Sequence, residues 1–139
     1  MTAYRHEYKH EINTSDFITL SMRLNAALKA DEFARADGAY EITSLYFDDV
    51  YDTALKEKIS GVNCRDKFRL RRYNNDTEHI KLEKKSKRGG LCLKECAAIT
   101  AAQAQSIIGG DIDFLAVQGG VMAELYSAVL VSYNGEYMG

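Results

Sequence analysis

The 139-residue chain has the length of one domain, and its 46% hydrophobic and 27% charged residues allow a packed core in a water-soluble fold. No apolar run approaches the ~20 residues of a membrane span, and the polar start MTAYRHEYKHEI lacks a signal-peptide core, so a cytoplasmic location is expected. A net charge of −2 and a pI near 5.9 argue against a generally basic nucleic-acid binder but hide a segregation: residues 56–94 hold 13 of the 18 basic and 5 of the 20 acidic residues, net +8.

Residues 3–12 alternate Arg5, Glu7, Lys9 and Glu11 with Tyr4, Tyr8 and Ile12 and read as a strand. Asn13, Thr14, Ser15 and Asp16 supply helix-capping chemistry, and Phe17, Leu20, Leu24, Ala27 and Leu28 follow at helical spacing, predicting a helix that ends near Ala30 and Asp31. The β-branched and aromatic stretch 40–47 predicts a second strand, closed by Asp48 and Asp49, and residues 51–59 a short helix stopped by Gly61. Residues 64–73, 79–87 and 91–98 read as a three-strand meander through turns at Asn74-Asn75-Asp76 and Gly89-Gly90. Thr100 caps a predicted helix over 100–108, two short helices are expected at 111–117 and 121–126, and 128–133 reads as a final strand. Without prolines, repeats or low-complexity tracts, residues 1–139 form a single expected domain.

The chemistry concentrates in the meander. A strand turns successive side chains to opposite faces, so Arg65, Lys67, Arg69 and Arg71 share one face, opposite Phe68 and Leu70. Lys81, Glu83, Lys85 and Lys87 repeat the pattern opposite Ile80 and Leu82. Such faces are commonly just solvated, but three of them with the first strand, in an acidic protein, suit a basic lining that focuses its field on a polyanion. The expected fold class is therefore α+β, dominated by an antiparallel, barrel-like sheet. Cys64, Cys92 and Cys96 lack a fourth zinc ligand and read as buried free thiols, while His6, His10 and His79 lack metal-ligand spacing. Tyr4, Tyr8, Tyr46 and Phe47 read as core or rim aromatics. Because the aromatics mostly alternate with the cations, an RNA-binding sheet is disfavoured.

Four stretches carry a family resemblance in order and spacing: RHEYKHEI at 5–12, SLYFDDVYDTALKEKISG at 44–61, RDKFRLRRY at 65–73 and KLEKKSK at 81–87, with an SYxxE-like ending at 132–136. Together they resemble the vacuolar transporter chaperone (VTC) domain of the triphosphate tunnel metalloenzymes. The resemblance implies an antiparallel β-barrel with flanking helices, forming a tunnel for phosphate chains, and a polyphosphate polymerase-type phosphotransferase using ATP. It implies phosphate contacts for Arg5, Lys9, Arg65, Lys67, Arg69, Arg71, Lys81, Lys85 and Lys94. Among these, Lys9, Arg69, Arg71 and Lys81 would act at the transferred phosphoryl, and Glu7 and Glu83 would reach a divalent metal, Mn2+ or Mg2+. The ligand would be ATP, triphosphate or polyphosphate; the alternative is a non-catalytic polyphosphate-binding regulatory or accessory module. Family domains continue with further strands, so the chain is expected to be the N-terminal portion of the tunnel fold. Family members often carry arginine where Asn134-Gly135 stands, and a basic residue where Glu95 stands. Exposed strand edges of such an incomplete barrel would favour a homodimer.

Overall fold

The computed structural model describes residues 3–32, 34–49 and 51–130. Their frame is a five-stranded antiparallel sheet in the order β1-β5-β4-β3-β2, formed by β1 (Arg5–His6), β2 (Ile42–Tyr46), β3 (Cys64–Tyr73), β4 (Ile80–Arg88) and β5 (Leu91–Ile99). The expected meander supplies its centre. Gly89 and Gly90, at φ 55° and 89°, make the two-residue β4–β5 turn, a conformation that glycine adopts without a Cβ penalty. Asn74 and Asn75 take positive φ after β3, as the turn chemistry there predicts.

The apolar face of the sheet builds the core. Phe68, Leu70, Leu82 and Ile99 pack under α3 (Ala101–Ile108), a short 3-10 turn (Asp113–Val117) and α4 (Gly120–Ala128), which contribute Ala104, Ile107, Leu115, Val121, Met122 and Leu125. Thr100 starts α3 with a capping box: its hydroxyl accepts from the Gln103 N–H at 3.1 Å, and the Gln103 side chain accepts from the Thr100 N–H at 3.0 Å. α3, the 3-10 turn and α4 lie on this side because it offers a continuous apolar surface.

α1 (Thr14–Ala27) is capped by Asn13, whose side chain accepts from the Asp16 N–H at 2.8 Å. It ends earlier than expected, where Leu28 N–H closes onto the Leu24 carbonyl. Its stripe of Phe17, Leu20, Leu24 and Leu28 stays exposed. α2 (Thr53–Ser60) ends on Gly61 at φ 70°. Its start is held by Asp48 and Asp49: Asp48 accepts from the Ala54 and Leu55 N–H groups, and Asp49 from those of Tyr51 and Thr53. These two carboxylates serve the backbone, as a strand-ending turn requires.

The structure corrects four expectations. The sheet is not a closed barrel: among the described residues β1 and β2 end it without meeting, and β5 is paired by β1 only at Leu91 and Cys92. The strand expected over 3–12 shrinks to Arg5–His6, because Tyr4, Tyr8 and Ile12 find no surface to bury against and stay exposed. Ala128 closes α4, and Val129 and Leu130 extend it as helical turns rather than opening a strand; the rest of that expected strand and the SYxxE-like ending lie outside the described residues. The three thiols are free, but Cys64 and Cys96 are exposed rather than buried. No helix among the described residues is long and apolar enough to cross a membrane.

Candidate functional site: one cationic face of the sheet

Residues opposite each other in an antiparallel ladder point to the same side. The register pairs Arg71 with Lys81, Arg69 with Glu83, Lys67 with Lys85 and Arg65 with Lys87. It then sets Lys85 against Lys94, and Lys87 against Cys92, which also faces Arg5. The three charged faces read from the sequence therefore merge into one, on the side away from the helical layer. Lys9 joins through a concavity of about 300 Å3 lined by Glu7, Lys9, Arg65, Lys67, Lys85, Lys87, Gly90 and Cys92. Every expected phosphate-contacting residue, Arg5, Lys9, Arg65, Lys67, Arg69, Arg71, Lys81, Lys85 and Lys94, belongs to this face.

The opposite side shows what a structural use of charge looks like. There Arg88 pairs with Asp66 at 2.9 Å, and Lys84 meets Glu124, Glu95 at 3.9 Å and Asp66 at 4.0 Å. Glu95, unexpected beside Lys94, is thus turned away from the cationic face and serves Lys84. On the cationic face the only two carboxylates in these contacts are Glu7 and Glu83, against the ten cations Arg5, Lys9, Arg65, Lys67, Arg69, Arg71, Lys81, Lys85, Lys87 and Lys94.

Glu83 is the pivot. It is 1% exposed at the centre of the sheet. Its Oε2 accepts from Arg69 Nε at 2.6 Å, and its Oε1 forms an ion pair with Lys94 Nζ at 2.6 Å, close but off hydrogen-bond alignment. Burial alone would raise the carboxyl's pKa, but Lys94 and Arg69 outweigh it and hold the group below the usual carboxylate range. Glu7 lies nearer the surface. Lys85 Nζ donates to its two oxygens at 2.9 and 2.7 Å and is the main cause of its lowered pKa, with Lys9 3.6 Å away.

The cations are individually placed. Arg69 also donates to the Tyr46 hydroxyl at 3.0 Å; burial opposes its charge, yet Tyr46 and Glu83 raise its pKa. Arg71 Nε donates to Ser44 Oγ at 3.0 Å. Arg65 donates to the Glu57 and Val62 carbonyls at 3.2 and 3.1 Å, so one guanidinium both ties down the end of α2 and lines the concavity. Lys67 carries the strain of the arrangement. Burial, then the like charges of Lys58, Lys85 and Arg65, push its pKa below the usual lysine range, and Tyr46 offsets this only in part. A bound anion would relieve that repulsion.

Two residues join the face that the expected site set lacked. Lys87 lies opposite Arg65, on the face where its alternation with the other β4 cations places it. Tyr46 lies opposite Arg69, and its ring has Lys67 Nζ and the Arg69 guanidinium each 5.8 Å from its centre. Tyr46 is thus an exposed aromatic of the edge strand β2 set among the cations, and the sequence carried no separate signal for that placement. Among the described residues, no group of three or more His, Cys, Asp or Glu could hold a metal ion. The donor chemistry agrees: Glu83 has a cation on each oxygen, and Glu7 has both oxygens on Lys85.

A family model described as the VTC domain matches residues 4–133. Among curated proteins, no match is found.

Proposed function

The chain belongs to the VTC domain family, and from that membership together with the cationic face we propose that it binds ATP, triphosphate or polyphosphate in the cytoplasm and acts as a polyphosphate polymerase-type phosphotransferase. The observation that supports this most is the imbalance of charge between the two sides of one sheet. On the helical side Arg88 and Lys84 are paired with carboxylates, whereas on the other side ten cations share Glu7 and Glu83, and burial together with neighbouring like charges lowers the pKa of Lys67. Arginine offers a planar fork to two phosphate oxygens and lysine a mobile point charge, so rows of both on adjacent strands suit a linear phosphate chain.

Phosphoryl transfer asks the protein mainly for positioning and for neutralisation of charge. In this reading Lys9, Arg69, Arg71 and Lys81 surround the transferred phosphoryl, and Arg5, Arg65, Lys67, Lys85, Lys87 and Lys94 hold the rest of the chain. Glu83 orients Arg69 and Lys94 toward it. The described carboxylates do not make a metal site by themselves. Mn2+ or Mg2+ therefore enters the proposal as an ion carried by the phosphates, which such ions keep in their shell, with Glu7 as the nearest surface carboxylate. The tunnel belongs to the proposal as well: the open edges of β2 and β5 would be covered by a second copy, giving a homodimer. A monomer by light scattering at high protein concentration would contradict that part.

The test is turnover. Incubated with ATP and Mn2+, the chain is expected to form ADP and a phosphate polymer that acid hydrolyses to orthophosphate. Tight polyphosphate binding with no ADP formed would instead favour a non-catalytic binding module, a reading supported by the two cation-bound carboxylates.

A further inference from the structure

Beside the cationic face lies a second concavity, of about 320 Å3, between β2 and the start of α2. Its lining is different in kind: Tyr46, Phe47, Ala54 and Leu55 give it apolar walls, and Ser44, Asp52, Lys58 and Lys67 give it polar edges. Mostly apolar walls with a few polar groups are what a small organic group needs, and a bare phosphate chain does not. The cavity adjoins the cation-lined concavity, and Lys67 lines both.

We infer that this cavity is the nucleoside subsite for a nucleoside triphosphate whose phosphates lie along the cationic face; the inference rests on the phosphate-binding reading above. Tyr46 offers a ring for stacking, anchored by the Arg69 bond to its hydroxyl. Asp48, also in the wall, has its carboxylate taken up by the backbone amides of Asp49, Ala54 and Leu55. Asp52 does not. It sits at the N-cap position of α2 in a left-handed conformation (φ 55°), and its side chain makes no capping bond. Asn and Asp tolerate that conformation better than other side chains, and the carboxylate so placed can accept hydrogen bonds from ribose hydroxyls, a role acidic residues fill in other nucleotide sites. Lys58 and Lys67 lie where the first phosphate leaves the nucleoside. The assignment orients the substrate: nucleoside between β2 and α2, phosphates on the cationic face of β3 and β4.

The test compares ATP with inorganic triphosphate on the whole chain by titration calorimetry. The protein has no tryptophan, so Leu55→Trp, at a half-exposed position in the cavity wall, both fills the cavity and reports on it. ATP affinity is expected to fall at least tenfold with triphosphate affinity within twofold of wild type, and indole fluorescence should respond to ATP but not to triphosphate. Asp52→Asn, which keeps the shape, is expected to weaken ATP about threefold and spare triphosphate. ATP binding unchanged in both variants would overturn the subsite while leaving the phosphate-binding reading intact, as would equal losses for both ligands. Absence of triphosphate binding in the wild type would overturn both.

Discussion

Lys67→Ala/Lys87→Ala is expected to lose about a hundredfold in affinity for triphosphate while keeping its fold. Both side chains line the concavity between β1, β3, β4 and β5 and point away from the helical core. Hydrogen bonds to charged groups contribute roughly 1.5–3 kcal/mol each. Two at the lower end amount to about 3 kcal/mol, or about two decades in affinity. Coupling between neighbours and solvent screening argue for that lower end. Removing two like charges from a crowded face relieves repulsion, so the melting temperature should hold or rise. Triphosphate titration and a thermal melt on the same preparation check both halves. A variant that binds as tightly as wild type would mean that these cations are only a solvated face.

Glu83→Gln is expected to cost about 3 kcal/mol of stability, the scale for removing one partner from a buried ion pair. The reasons lie in the geometry: Arg69 and Lys94 approach opposite oxygens of one carboxylate that is 1% exposed. An amide can accept from one cation but must turn its NH2 donor toward the other. The pH dependence follows from the sign of the shift. The folded pKa of Glu83 is lowered, so its contribution is present above the ordinary carboxylate range and is lost as pH falls through the folded value. Wild type should therefore lose stability in acid more steeply than Glu83→Gln, whose curve lacks this contribution. Denaturant unfolding at neutral and acidic pH measures both. Equal stability of the two proteins at neutral pH would remove Glu83 from its role as organiser of the face.

Much of this site was legible because strand alternation is a strong constraint. Arg65, Lys67, Arg69 and Arg71 could not face the core while Phe68 and Leu70 did, and the two-residue Gly89-Gly90 turn fixed the register that brings Lys85 against Lys94. The same logic failed at residues 3–12, where alternation of charge and aromatic residues promised a strand but the sheet pairs only Arg5–His6. Periodicity states which residues share a side; it does not state whether a partner strand is there to use them. α1 shows the same limit, with a correct helix and cap but an apolar stripe that stays exposed. Tyr46 was missed for a different reason. Its place depends on the β2–β3 register, which sets it opposite Arg69, and no local pattern encodes a pairing between segments 23 residues apart.

The most direct test of phosphate binding on the cationic face is a titration of inorganic triphosphate into the intact wild-type chain at low and at high salt. Saturable binding that weakens steeply as salt rises is expected, because several cations of one face must be neutralised together. Absence of saturable binding at low salt would contradict phosphate binding on this face, and so would an affinity indifferent to salt.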